Sequence, residues 1–178
     1  TLGFQVFFLG MALGVGLGGA MGALVGGALG AKDRRRARRV SAQGLSYGIL
    51  ASVILGLFSL WYGPKLIALV STSGPYQDAG ARYFQLLTLA LPGFIVAFGC
   101  NGILQAHGDG KSMQRALIVA FFVNIGLNPL LIFGLPGVWG GMGFDGLAVS
   151  TIISQTGVMV FLIRQVLRLD TMARLRWA

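Results

Sequence analysis

Charge of either sign is scarce in this 178-residue sequence, and negative charge is scarcest. Charged residues make up 11% of the chain, and its five acids are all aspartates: Asp33, Asp78, Asp109, Asp145 and Asp170. Soluble domains carry roughly 25% charge, so too little polar surface is present to clothe a water-facing globule. Cysteine is nearly absent too. Cys100 stands alone inside an apolar run, which excludes an internal disulfide and reads as a small buried hydrophobe. One histidine, His107, lies in a polar turn with no second metal-type ligand beside it, and reads as a solvated side chain. Paired carboxylates, a nucleophile–base pair and a metal cluster are all missing, so nothing argues for an enzyme. No cofactor is expected.

What is present is apolar. Hydrophobic residues make up 55% of the chain, and the mean hydropathy is +0.77. Five long runs stand out, at about 3–30, 40–62, 83–105, 114–133 and 146–166. Each is long enough to cross a hydrocarbon core of roughly 30 Å as a helix. The fold class expected is therefore all-α, a polytopic membrane helix bundle of about five transmembrane helices. The second run is expected to stop at Gly63-Pro64, with Lys65 to Val70 lying at the interface. Residues 1–30 lack a basic n-region and run too long for a signal peptide, so they read as a span.

The formal net charge of +9 could suggest nucleic acid. Its placement argues against that and for membrane topology. Lys32, Arg34, Arg35, Arg36, Arg38, Arg39, Lys111, Arg115, Arg164, Arg168, Arg174 and Arg176 all fall at or just beyond the ends of the first, third and fifth runs, and only Lys65 and Arg82 fall on the other side. Short cytoplasmic loops collect Lys and Arg, which places Thr1 outside and Ala178 in the cytoplasm of a plasma (inner) membrane. No run carries a charge at mid-depth, where one costs about 2.5–3.5 kcal/mol on insertion scales.

Within the runs, small and polar residues carry the pattern. Gly10, Gly14, Gly18, Gly22, Gly26 and Gly30 recur every fourth residue, a ridge that lets another backbone approach closely. Gly14-Val15-Gly16-Leu17-Gly18-Gly19 also matches a dinucleotide fingerprint, but that motif needs a preceding strand. Gly110-Lys111-Ser112 matches the end of a P-loop, but Gln105 stands where the motif needs glycine. Pro92 and Pro129 sit within runs and predict kinks, since each lacks an N–H and crowds the carbonyl four residues earlier. Asn124 and Asn128 share a helix face. In lipid they need partners, serving either as interhelical glue or as the lining of a polar cavity. Ser150, Thr151, Ser154 and Gln155 form a polar patch on the fifth run, and Gln43 with Tyr47 a weaker one on the second.

The residues resemble a known family in order and spacing. Gly30-Ala31-Lys32-Asp33 with Ala37 is similar to a turn of the multidrug and toxic compound extrusion (MATE) transporters. Tyr83 with Leu91-Pro92 follows, then Asn101-Gly102 through Gly108-Asp109, then Asn124 to Asn128 with Phe133-Gly134. Gly141-Met142-Gly143 with Gly146, Ala148 and Thr151 completes the set. The resemblance implies a lobe of six spans, of which this chain would supply spans two to six. The expected partners are then the first span and second lobe of the same polypeptide, membrane lipid and small organic cations. The implied activity is export of cationic or amphipathic compounds against H⁺ or Na⁺ by alternating access. Some members carry an N-x-x-x-D pair in a first-lobe cation site. Asn124 matches its Asn, Asn128 replaces its acid, and Thr151 falls near a third lining position. An amide can ligate Na⁺ but cannot take a proton, so a proton-carrying carboxylate is expected outside this chain. Two alternatives are a lipid-linked oligosaccharide flippase of the same architecture and a non-transporting membrane assembly subunit.

Overall fold

The computed structural model describes residues 2–68, 82–83, 85–134, 140–143 and 145–169. Five helices account for most of them: α1 (Leu2–Gly30), α2 (Arg34–Ala68), α3 (Leu91–Ala106), α4 (Lys111–Phe133) and α5 (Asp145–Arg168). No strand occurs among the described residues. Among the described residues, five spans are long and apolar enough to cross a membrane; a helix suits such a span because it pairs the backbone polar groups within the segment. Residues 135–139 and the basic stretch with Arg174 and Arg176 fall outside the described residues.

Two turns on the basic side share one design. After α1, the Lys32 N–H donates to the Leu29 carbonyl and the Asp33 N–H to the Ala28 carbonyl, both at 2.9 Å. After α3, Gly108 donates to Gln105 and Asp109 to Leu104, again both at 2.9 Å. This pair of bonds satisfies carbonyls that a helix end would leave bare, and it requires a left-handed residue. Gly108 supplies that residue with φ 83° and Lys32 with φ 58°. In each turn the next residue caps the following helix. Asp33 Oδ1 accepts from Arg36 N–H at 2.9 Å, and Asp109 Oδ1 accepts from Ser112 N–H at 3.0 Å. The Ser112 hydroxyl donates to Asp109 Oδ2 at 2.5 Å. That bond, with the backbone donors of Ser112 and Lys111, holds the Asp109 carboxyl below its usual range. Capping also explains why α4 begins at Lys111, three residues earlier than its apolar run.

Three expectations are refined. The second apolar span ends at Tyr62 as expected, but its helix α2 continues past Gly63-Pro64 to Ala68; a proline in the last turns removes one N–H without ending the helix. The kink expected near Pro92 is present as a break in the span Gln85–Ala106: helix gives way at Leu89–Ala90, where both residues donate three residues back, to Leu86 and Leu87, each at 3.0 Å. Pro92 itself sits in the first turn of α3, just after this break. There its missing N–H costs little. His107 is half-buried rather than solvated, with Nδ1 2.9 Å from the Ile103 carbonyl at the end of α3. Pro129, in contrast, lies inside α4.

α3 is the central helix, with α1, α2 and α5 packed around it. Its residues Val96, Ala97, Cys100, Ile103 and Leu104 join Met21, Val25 and Ala28 of α1, Ala37 of α2 and Val158, Leu162 and Val166 of α5 in one apolar core. The glycine ridge explains the closeness of α1 and α3. A Cβ on Gly18 would stand 2.7 Å from the Phe98 carbonyl oxygen, and one on Gly102 would collide with the Gly18 carbonyl. Gly10 and Gly14 face Leu91, Ile95 and Phe98 in the same way. The ridge then diverges: Gly26 only approaches Ala106 at 3.9 Å, and Gly30 meets nothing within 4 Å. The drift follows from a four-residue spacing laid on a 3.6-residue turn.

Candidate functional site

α4 and α5 meet through polar side chains. The Asn124 Nδ2 donates to Ser154 Oγ at 3.1 Å. The Ser150 hydroxyl is directed at Asn124 Oδ1 at 3.4 Å, at Asn128 Oδ1 and at its own helix through the Leu147 carbonyl at 2.9 Å. A hydroxyl carries one proton, so three acceptor oxygens share a single donor. Around this hydroxyl, oxygen acceptors outnumber the one proton they share, and the amide N–H groups of Asn124 and Asn128 stand beside them. Ser150 is fully buried and Ser154 nearly so, while the two asparagines are half-buried and line the pocket.

The cluster opens into a pocket of about 350 Å³ lined by Leu117, Ala120, Phe121, Asn124, Ile125, Asn128, Ser154 and Gln155. That volume is within the range of small-ligand sites and would hold roughly ten waters at ~30 Å³ each. Its walls are apolar and aromatic apart from the two amides, the hydroxyl and Gln155. Pro129 stands one residue beyond Asn128 and denies the Ile125 carbonyl its helical donor, adding another oxygen beside the pocket wall.

The structure gathers Asn124, Asn128, Ser154 and Gln155 around one pocket. Thr151 does not join them through its hydroxyl, which bonds back to the Leu147 carbonyl at 2.9 Å. Gln43 and Tyr47 lie elsewhere: both are exposed on α2, which packs against α1 and α3. Sequence reasoning placed Ser150 in the polar patch without giving it rank, yet it is the residue both asparagines share. The signal was available in the spacing. Ser150 and Ser154 are four apart and stack on one helix face, whereas Thr151 is turned about 100° from Ser150.

The membrane-spanning helices thus carry an open, partly polar pocket between α4 and α5, and relatives specify the family. The MatE family model matches residues 1–130, and the chain belongs to this family of multidrug and toxic compound extrusion transporters. It is 30% identical over 159 residues to the probable multidrug resistance protein YoeA of Bacillus subtilis, an alignment covering 89% of this chain and 34% of that protein. It is 27% identical to the multidrug export protein MepA of Staphylococcus aureus, covering 75% of this chain and 28% of that one. The chain thus spans about a third of the length of the curated relatives it matches. Among solved structures, the inward-facing conformation of a multidrug resistance MATE family transporter of the MOP superfamily has a TM-score of 0.82 at 24% identity, over 92% of this chain and 36% of that one. The outward-facing conformation of such a transporter gives a TM-score of 0.82 at 25% identity, over 90% and 35%. The protein is a multi-pass membrane protein.

Proposed function

We propose that this chain forms most of one lobe of a secondary active efflux transporter, exchanging cationic or amphipathic organic compounds for H⁺ or Na⁺ by alternating access. The observation that carries this reading is the surplus of oxygen acceptors at Asn124, Asn128 and Ser150. A desolvated cation needs several oxygen ligands and no cationic neighbour, and the helices hold no Lys or Arg at mid-depth. Because both amides are neutral, the pocket favours Na⁺ as the ion that this chain binds. H⁺ coupling would need a carboxylate from another part of the polypeptide. The relatives named for multidrug resistance and export support the substrate class, and the exposed Phe121 ring at the pocket offers an organic cation an aromatic face.

Alternating access fits the equal likeness to inward- and outward-facing structures: a lobe that moves as one body keeps its internal fold in both states. The one-sided Lys and Arg support a topology with the Ala178 end in the cytoplasm of a plasma (inner) membrane. The polypeptide's remaining helices, lipid and the organic cation are its partners. A flippase for lipid-linked oligosaccharides would call for cationic side chains facing a central cavity, which this sequence lacks at mid-depth. The test is efflux of a fluorescent organic cation by the full polypeptide in cells lacking their native pumps. Asn124→Ala and Ser150→Ala should raise dye accumulation at unchanged membrane expression. Equal loss of transport and expression would mean that the cluster only holds two helices together.

A further inference from the structure

A second groove runs along the other flank of the α4–α5 seam. Its volume is about 520 Å³, and its apolar lining includes Ala116, Val119, Val123, Gly157 and Phe161. Arg115 and Gln165 also line it, and both lie at the helix ends on the basic side. The polar pocket and this groove face different ways. Gln155 of the polar pocket meets Gly93 of α3, whose added Cβ would stand 3.5 Å from Gln155 Cβ. Ile153 and Val160, turned away from that contact, are 46% and 39% exposed, and a Cβ on Gly157 would meet nothing within 4 Å. The groove therefore opens away from α3, toward the surface where Ile118, Val119, Phe122 and Val123 of α4 are also exposed.

We propose that this groove seats one acyl chain of an anionic glycerophospholipid from the leaflet on the basic side, with its phosphate held by Arg115 and Gln165. Length and charge both point to that occupant. Arg115 to Val123 covers about 12 Å at ~1.5 Å per residue, close to the ~15 Å depth of one leaflet's hydrocarbon. A guanidinium grips phosphate in a fork geometry that ammonium cannot match, and an amide N–H adds a neutral donor. Asp109 lies close enough to Arg115 to feel its charge, but its carboxylate is engaged by Ser112 and the Lys111 backbone. Lys111, Arg164 and Arg168 add positive potential at the same membrane level without lining the groove.

The experiment uses the full polypeptide in nanodiscs of phosphatidylcholine and phosphatidylglycerol, with bound lipid read by native mass spectrometry after release. Phosphatidylglycerol should be retained in preference to phosphatidylcholine, and Arg115→Gln should lower that preference about fivefold. Gly157→Leu should fold, since open space lies beside it and leucine favours a helix, but should expel the lipid by filling the groove. Arg164→Gln, an exposed charge outside the groove, should change little. Equal losses in Arg115→Gln and Arg164→Gln would reduce the effect to surface potential and overturn the proposal. So would unchanged retention in both Arg115→Gln and Gly157→Leu. A photo-crosslinker at position 157 that captures another helix of the polypeptide rather than lipid would also overturn it.

Discussion

Along the α1–α3 seam, Gly18 and Gly102 bring two main chains into near contact; along the α4–α5 seam, close backbone approach is confined to Gly146 against Leu131, and deeper in, Asn124, Asn128, Ser150 and Ser154 hydrogen-bond beside a pocket. Lipid offers no hydrophobic drive between helices, so each seam must find another source of cohesion. The first finds it in dispersion over a glycine surface. The second finds it in hydrogen bonds, each worth only about 0.6 kcal/mol on average in membranes. A seam of the first kind has one arrangement. A seam of the second kind can exchange its internal bonds for bonds to an ion at little net cost, and this is the physical reason to place binding there and rigidity at α1–α3.

The sharpest way to break this contrast is to put bulk into the tight seam. Gly102→Leu and Gly18→Leu should leave little monodisperse protein on size-exclusion chromatography, since neither backbone can yield; overpacking of this kind costs about 1–3 kcal/mol and often more. Gly22→Ala should be tolerated because its nearest neighbour, the Gly102 carbonyl oxygen, lies 3.6 Å away. Equal damage from all three would mean that helix flexibility, not contact, is at stake.

Next in size is Asn128→Asp. It adds a titratable carboxyl to a pocket whose polar lining side chains are otherwise neutral. Transport should then become pH-dependent, whereas the wild type is expected to depend on Na⁺ alone. Flux measured from pH 6 to 8 with and without Na⁺ would show the change; an unaltered profile would separate Asn128 from the ion.

The smaller effects concern the paired turns that hold both seams in register. Asp109→Ala should cost about 1 kcal/mol through loss of the α4 cap, read as a lower unfolding midpoint in detergent. Since the Asp109 pKa is lowered in the folded state, its contribution is present above the unfolded carboxyl pKa of about 3.9 and fades as pH falls through the lower folded value. Smallest of all, Lys32→Gly should stabilise by up to about 1 kcal/mol by removing a side chain from a left-handed position. A loss of stability there would show that the lysine side chain compensates for its backbone.

The two seams were unequally legible in the sequence. A four-residue glycine period announces close packing from α1 alone, but its partner is named only when Gly102 of α3 arrives against it. The span count follows from hydropathy because lipid leaves a chain few choices. The Asn124–Asn128 pair is visible through its helical spacing, yet the rank of Ser150 depends on which face of α5 meets α4. Neighbouring Thr151 has the same chemistry and spends its hydroxyl on its own helix. Gln43 and Tyr47 read as a weaker patch of the same kind, and the packing of α2 against α1 and α3 separates them from the pocket. Pro92 shows the same limit: a proline's effect depends on whether it falls in the first turn of a helix or in its interior, and the apolar run around it marks neither.

The α4–α5 pocket is the proposed ion site. Sodium binding to the purified full polypeptide, measured by isothermal titration calorimetry at constant pH, tests it directly. The wild type should bind Na⁺ with an affinity that falls at least about tenfold in Asn124→Ala, the equivalent of about 1.4 kcal/mol, while Gly22→Ala in the tight seam leaves it unchanged. Sodium affinity that is the same in Asn124→Ala and the wild type would contradict the assignment.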